Sequence, residues 1–141
     1  MKRSIVTAAV LSSLLAPLGA SQSVVTPHHR IVFQMTEPQG PAWGELMVHV
    51  NNLLINFAND GGSLVEVVFI GPGLNMLRKT NTAYEKGLKS LAERGVTLAA
   101  CQNSIEAMKL KTTDLFPFVS EVRSGVAEIV RKQEAGWSYI H

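Results

Sequence analysis

The sequence predicts an α/β domain in which a mainly parallel sheet of four or five strands is covered by helices on both faces. Short, nearly continuous apolar runs alternate along the chain with stretches of helical periodicity. The apolar runs carry little of the polar alternation that a half-exposed sheet requires, so the strands should be buried on both faces. A length of 141 residues suits one such domain, and a hydrophobic content of 46% supplies its core.

The first half of the domain contains two strands and a long helix. Residues 31–35 form a short apolar strand, and apolar residues then recur at spacings of three and four from Trp43 to Phe57, which predicts an amphipathic helix. A second strand over 64–70 stops at Gly71-Pro72-Gly73. We interpret these glycines as a tight strand-to-helix turn rather than a nucleotide-binding loop, since Met76 stands where the third glycine of that fingerprint belongs.

The second half repeats the alternation in shorter pieces. The pattern predicts a helix over 82–94, a strand over 96–100, a short helix over 103–108, a strand over 119–123, a helix over 125–134 and a final edge strand over 137–140. Strands that alternate with helices build parallel sheets through right-handed crossovers. The whole order therefore predicts a flavodoxin-like three-layer sandwich.

The N-terminus has the features of a secretory signal peptide. Lys2 and Arg3 precede a mostly apolar run over 5–18, and small residues follow up to Ala20, after which cleavage is expected. The run of roughly 14 residues is shorter than the roughly 20 that a membrane span requires, which disfavours a retained anchor. We therefore predict a signal peptide over 1–20, a flexible tether over 21–29 and a domain over 30–141. The expected location is periplasmic or secreted, with no membrane association after cleavage; a membrane-tethered form is the less favoured alternative.

Charge and metal-ligand content exclude two classes of function. The full chain has 13 basic and 11 acidic residues, and loss of Lys2 and Arg3 leaves 11 of each. A neutral domain without a basic cluster argues against nucleic-acid binding. His28-His29 is an adjacent pair without a third ligand nearby, so we predict neither a metal site nor a cofactor.

Cys101 is the best candidate for a reactive group. It is the single cysteine of the chain and cannot form an internal disulfide. It directly follows the strand over 96–100, at the sheet edge where parallel α/β proteins bind ligands. With Asn103 as N-cap and Glu106 completing a capping box, Cys101 would precede a helix N-terminus, which would lower the pKa of its thiol. The alternative, an inert cysteine that ends a core strand, stays open from these residues alone.

Other loops should meet at the same edge. They are residues 36–41, 71–73 and 124–125, and in the second of them Gly71 and Gly73 would let a ligand or a neighbouring subunit approach the cysteine. A polar stripe along the first helix is interpreted as a solvated face that would also suit a subunit interface; its members are Glu45, His49, Asn52 and Asn56.

The segment from about Arg30 onward resembles the DsrE/DsrF-like family, in particular its small exported single-domain members. The resemblance covers about 112 of the 141 residues and rests on several pieces in a consistent order. These are Ile31-Val32-Phe33-Gln34, Trp43, Gly71-Pro72-Gly73-Leu74 with Met76-Leu77, Gly95-Val96, Ala100-Cys101-Gln102-Asn103-Ser104 with Ala107-Met108, Gly125-Val126-Ala127-Glu128-Ile129, and Gly136-Trp137-Ser138-Tyr139-Ile140.

The resemblance implies a parallel-stranded sandwich that assembles as a homotrimer or homohexamer and relays sulfur as a cysteine persulfide, with Cys101 at the position of the sulfur-carrying cysteine. The leading hypothesis is a sulfur carrier or sulfurtransferase-like protein. In it Asn103, Ser104, Gly71 and Gly73 form the ligand-binding surroundings of Cys101, and the partner is a sulfur donor or acceptor protein or a small thiol. Export departs from the cytoplasmic setting of such relays and would expose a thiolate to oxidation. The competing hypothesis is a non-catalytic oligomeric module that binds a small ligand or a partner at the same edge.

Overall fold

The computed structural model describes residues 27–141, so the predicted signal peptide and most of the predicted tether lie outside the described residues. His29, which the sequence interpretation placed at the end of the tether, is the first residue of a strand. The strands are β1 (His29–Met35), β2 (Ser63–Phe69), β3 (Thr97–Cys101), β4 (Ser120–Val122) and β5 (Ser138–Ile140). The α-helices are α1 (Pro41–Asn56), α2 (Thr82–Glu93), α3 (Gln102–Ala107) and α4 (Gly125–Glu134), and 3₁₀ helices span Gly71–Leu77 and Thr112–Asp114. Within the described part, no helix is both long enough and apolar enough to cross a membrane.

The five strands form one parallel sheet in the order β4-β3-β2-β1-β5. The predicted α/β class, with helices on both faces of a mainly parallel sheet, is confirmed. Strands β1 to β4 are added in one direction, and the chain then crosses back to place β5 on the other side of β1. The point at which the strand order reverses therefore lies between β1 and β5, and open α/β sheets favour ligand binding at such a point.

One face of the sheet carries the main hydrophobic core. Alternate strand residues such as Phe33, Val67 and Leu98 meet α1 and α2, and in the described residues twenty buried side chains form a single cluster there. Helix α2 contributes Leu88 and Leu91, which are at most 1% exposed. This face accounts for most of the apolar burial that stabilises the domain.

The opposite face is covered by α4 and is much smaller. Its buried cluster in residues 27–141 consists of four side chains, Val32, Val68, Ala99 and Ile129. A carboxylate, that of Glu66, also lies on this side of β2 and is buried. The α4 face is therefore thinly apolar and contains a buried charge.

The glycine-rich stretch after β2 differs from the tight turn that the sequence predicts. It forms a 3₁₀ helix, Gly71–Leu77, which buries Leu74 and Leu77 in the main core. A Cβ at Gly73 would overlap the carbonyl oxygen of Met35. Glycine is required there because the 3₁₀ helix passes directly over the end of β1.

Candidate functional site

Cys101 is the last residue of β3, and its sulfur points to the α4 face. Ala100 belongs to the main core and Ala99 to the cluster under α4, so the alternation of a strand sends the next side chain, Cys101, to the α4 side. The residue is 4% exposed. The free thiol is therefore buried at the carboxyl edge of the sheet.

The predicted capping arrangement of α3 is wrong. The helix begins at Gln102, one residue earlier than expected, and Cys101 itself occupies the N-cap position. Asn103 is the second residue of the helix, and the Glu106 carboxylate pairs with Arg123 at 3.2 Å instead of closing a capping box. The helix starts early because it continues from the last strand residue without a linker.

The amides at the start of α3 face the cysteine sulfur. An N-cap side chain normally accepts hydrogen bonds from the second and third residues of its helix, which here are Asn103 and Ser104. These two N–H groups lower the pKa of Cys101, although the geometry falls short of a full side-chain cap.

Helix α4 supplies a full hydrogen bond to the same sulfur. The backbone N–H of Gly125 donates to Cys101 Sγ at 3.2 Å. A Cβ on Gly125 would lie 2.6 Å from Cγ1 of Ile70 and 3.1 Å from Cγ1 of Val68, so a side chain would push the helix away from the sheet. The N-cap of α4 is Ser124, whose Oγ accepts from the N–H of Ala127 at 3.4 Å. The glycine thus allows the first amide of α4 to reach the thiol.

Ser104 connects the sulfur to the 3₁₀ helix after β2. Its hydroxyl lowers the pKa of the Cys101 thiol, and its Oγ accepts from the N–H of Gly71 at 2.8 Å. Ser104 is 7% exposed, so this short chain of hydrogen bonds is shielded from water. The Gly71 amide therefore fixes the position of the serine oxygen near the cysteine.

These contacts decide the ionisation of the thiol. Burial raises the pKa of Cys101, whereas hydrogen bonds from the Ser104 hydroxyl and from the amides of Gly125, Ser104 and Asn103 lower it, and the net pKa lies below the ordinary value. The surroundings thus favour the thiolate, which is the nucleophilic form of cysteine. The side chain is thus buried, and its polar neighbours stabilise its ionised form.

The structure brings most of the predicted site residues together. Asn103 and Ser104 lie beside the Cys101 sulfur and Gly71 contacts Ser104, whereas Gly73 packs against β1. Sequence reasoning missed the Gly125 amide as a donor. Its signal was present, because residues 124–125 stand at a strand end before a helix. In residues 27–141, no group of three or more histidine, cysteine or acidic residues is arranged to hold a metal ion.

Apart from the Cys101 site, a cleft lies between β1 and β5, where the strand order reverses. It has a volume of about 250 Å³ and is bounded by the ends of β1 and β5 and by α1. Its polar lining includes Glu37, Glu45, His49 and Tyr139, and the Tyr139 hydroxyl donates to Gln34 Oε1. Two residues of the polar stripe on α1, Glu45 and His49, therefore line this cleft, and Cys101 lies outside it.

Comparison with known proteins finds a matching family model and two similar structures. The model of the DsrE/DsrF-like family matches residues 29–141. The structure is similar to that of a protein of unknown function, MTH1491, from Methanobacterium thermoautotrophicum, with a TM-score of 0.75 and 34% identity over 79% of this chain and 97% of the other. It also resembles the ychN protein of E. coli, with a TM-score of 0.62 over the same shares of the two chains; at 10% identity this likeness shows the fold alone. No curated protein matches the sequence.

Proposed function

Since the chain belongs to the DsrE/DsrF-like family, which is generally linked to sulfur relay, we propose that it is a sulfur carrier or sulfurtransferase-like protein in which Cys101 accepts sulfane sulfur and passes it on. The observation that carries the proposal is the set of donors around one sulfur: the Gly125 amide at 3.2 Å, the Ser104 hydroxyl and the first amides of α3. Such a set stabilises an anionic sulfur more than a neutral thiol, whose sulfur is only a weak acceptor.

The transfer conserves charge at the site. The Cys101 thiolate attacks the outer sulfur of a donor persulfide, the donor's S–S bond breaks, and the donor leaves as its own thiolate. Cys101 then carries the outer sulfur with its proton as Cys–S–SH, and loss of this proton to solvent leaves a persulfide anion with a single negative charge. An acceptor thiolate then attacks the outer sulfur and releases the Cys101 thiolate. A thiolate whose pKa is lowered is also a better leaving group in this second step.

The hydrogen bonds serve both states. Gly125 donates to Sγ and Ser104 lowers the pKa of the free thiol, and we expect the same groups to stabilise the persulfide anion. Because Cys101 is only 4% exposed, little of its sulfur is open to an incoming donor. This limited exposure favours a small persulfide or polysulfide as donor, or a protein donor that presents an extended persulfide.

The cellular setting belongs to the same proposal. Residues 1–20 direct export, the domain works outside the cytoplasm, and it assembles as a homotrimer or homohexamer, as the family resemblance implies. N-terminal sequencing of the exported protein would identify the cleavage site, and its mass in solution would give the number of subunits. An uncut N-terminus or a monomeric mass would contradict the corresponding part of the proposal.

A sulfur-loading experiment tests the relay. Purified protein is treated with polysulfide, and its intact mass is compared with that of Cys101→Ser. We expect the wild type to gain the mass of one sulfur atom, which a thiol acceptor then removes, and the variant to gain none. Ser104→Ala should load more slowly at neutral pH because its thiol pKa is higher. A folded wild-type protein that gains no sulfur would overturn the proposal.

The cleft of about 250 Å³ favours a second candidate, a module that binds a small ligand at the reversal of the strand order. Its lining includes the carboxylates of Glu37 and Glu45 and no lysine or arginine, which suits a small organic amine. Amide chemical shifts recorded during titration with small amines would test it. Saturable shifts confined to residues of β1, β5 and α1, and lost in Glu45→Gln, would support the module; an absence of such shifts would exclude it.

A further inference from the structure

A buried ion pair links the middle of the sheet to α4. Glu66 lies on β2 with its side chain 5% exposed, and its Oε2 is 2.6 Å from Nζ of Lys132 on α4. The lysine side chain is itself 23% exposed. Nζ also lies 4.2 Å from the centre of the Trp137 ring and 3.6 Å from Oε1 of Glu128, which in turn pairs with Arg131. Lys132 is thus held from three sides.

The ion pair is not there to maximise stability. Within the described residues, Glu66 Oε1 is buried without a hydrogen-bond partner, so the carboxylate is incompletely satisfied. A buried pair of charges with an unsatisfied oxygen is often no more stable than apolar residues of the same size, because desolvation offsets the attraction between the charges. What such a pair can supply is a defined geometry, because it joins Lys132 of α4 to Glu66 of β2 at 2.6 Å.

The same helix delivers the amide that contacts the thiol. Gly125 and Lys132 are separated by seven residues, which is close to two helical turns or about 10 Å, so both lie on the side of α4 that faces the sheet. Gly125 meets Cys101 and Ile70 at one end of the helix, and Lys132 meets Glu66 at the other. Between them the main apolar anchor is Ile129. A helix held by so few apolar contacts depends on its polar anchors for its exact height and rotation.

We propose that Glu66 and Lys132 are positioning residues, whose ion pair fixes α4 so that the Gly125 amide stays within hydrogen-bonding distance of Cys101 Sγ. The inference rests on the proposed function for its biological meaning, since it assigns these residues to the control of the sulfur-carrying thiol. Neither residue touches the sulfur, and their effect passes through the backbone of α4.

The ultraviolet absorbance of the thiolate, followed against pH, tests the inference directly. Cys101 is the only cysteine of the chain, so the signal belongs to it, and Cys101→Ser gives the blank. The measurement requires neither access to the sulfur nor sulfur transfer. The variants are Glu66→Gln, Lys132→Met, the double variant that combines them, and Lys132→Arg, which keeps the charge.

A positioning role and a simple electrostatic field predict changes of different sign in the pKa of the Cys101 thiol. A field effect alone would raise the thiol pKa in Lys132→Met, which leaves the anion of Glu66, and lower it in Glu66→Gln, which leaves the cation of Lys132. Loss of positioning raises it in both single variants and in the uncharged double variant. Weakening one hydrogen bond to a charged sulfur should raise the pKa by about one unit, which lowers the thiolate fraction near neutral pH up to about tenfold. Lys132→Arg should stay near the wild-type value.

The controls separate the possible failures. The exposed pair Lys89–Glu93 on α2, changed to Met and Gln, should leave the titration unchanged. If a single variant fails to fold, the double variant decides, since it leaves no unpaired buried charge. A folded double variant with the wild-type titration overturns the inference, as does a lowered pKa in Glu66→Gln. A wild-type protein that titrates as described but accepts no sulfur would contradict the proposed function and leave the positioning role intact.

Discussion

The two faces of the sheet are built for different purposes. In the described residues, twenty buried side chains fill the face under α1 and α2, whereas four fill the face under α4. The larger face contains the 3₁₀ helix after β2 and the long amphipathic helix; the smaller one contains the thiol, the Glu66–Lys132 pair and a glycine that admits an amide. The main core supplies stability, and the α4 face holds polar groups that a well-packed core would not tolerate.

This division explains why the thiol of a buried cysteine can still ionise. On the α1 face, a thiol would be surrounded by apolar side chains, which raise its pKa. On the α4 face, two helix beginnings and a serine hydroxyl surround it with donors, and the pKa falls. Burial alone therefore does not separate a structural cysteine from a reactive one. The predictions below test whether stability and thiol chemistry are separable between the two faces.

The largest effect should come from the main core. Leu88→Ala removes a fully buried side chain of α2 and should lower the free energy of unfolding by about 2–5 kcal/mol. The thiolate titration of the folded variant should match that of the wild type, since α2 does not contact the sulfur. Denaturant unfolding gives the first quantity and ultraviolet absorbance the second. The neighbouring Lys89→Ala, at an exposed position, is the control and should change neither. A shifted titration in Leu88→Ala would break the comparison.

Gly125→Ala should change both the free energy of unfolding and the pKa of the Cys101 thiol. The added methyl group would lie 2.6 Å from Ile70, so α4 has to move outward, at a cost of about 1–3 kcal/mol in the free energy of unfolding. The displaced amide no longer stabilises the thiolate, and the thiol pKa rises. Gly44→Ala on α1 is the matched control, because its nearest contact would be Tyr84 Oη at 3.9 Å and alanine favours a helix by up to about 1 kcal/mol. An unchanged titration in a destabilised Gly125→Ala would show that the amide is unimportant.

Ser104→Ala should affect the thiol more than the fold. The change removes one donor to the sulfur and leaves the Gly71 amide without its acceptor, which should cost roughly 1–2 kcal/mol. The thiol pKa should rise, and alkylation by iodoacetamide at neutral pH should slow accordingly. Ser90→Ala, on the exposed side of α2, provides the control. Equal alkylation rates across the pH range would remove Ser104 from the site.

The smallest effect is a dependence of stability on pH. The folded state lowers the pKa of Cys101, so ionisation stabilises the fold. The difference in unfolding free energy between wild type and Cys101→Ser should be lowest below the folded pKa, rise with pH, and level off above the unfolded value of about 8.5. Its slope cannot exceed about 1.4 kcal/mol per pH unit. A difference that is constant from neutral to alkaline pH would contradict the lowered pKa.

The sequence was a good guide to the main core and a weaker guide to the α4 face. Residues 31–35, 64–70 and 96–100 are nearly continuous apolar runs because both faces of those strands are buried, and all three form strands. The position of β5 beside β1 could not be predicted, since three exposed residues carry too little pattern to specify a neighbour. The cleft between β1 and β5 could therefore not be predicted either, because its place depends on the strand order.

The site was predicted in its residues more than in its geometry. Cys101 and Ser104 were identified because a strand end before a helix predicts such a position. The role of Asn103 as a cap was wrong because a cysteine rarely occupies the N-cap, where oxygen side chains are preferred. Glu66 and Lys132 were missed, since 66 residues separate them and only the folded chain pairs them.

The thin apolar layer beneath α4 also has a kinetic consequence. Cooperative units of a protein open with free energies that follow their buried contacts, from almost none up to that of global unfolding. Helix α4 should therefore detach in brief sub-global excursions while the main sheet remains intact, and its amides should exchange with deuterium earlier than those of β2 and β3. Each excursion would present the sulfur to solvent, so the frequency of these openings would set an upper limit to the rate at which sulfur is exchanged.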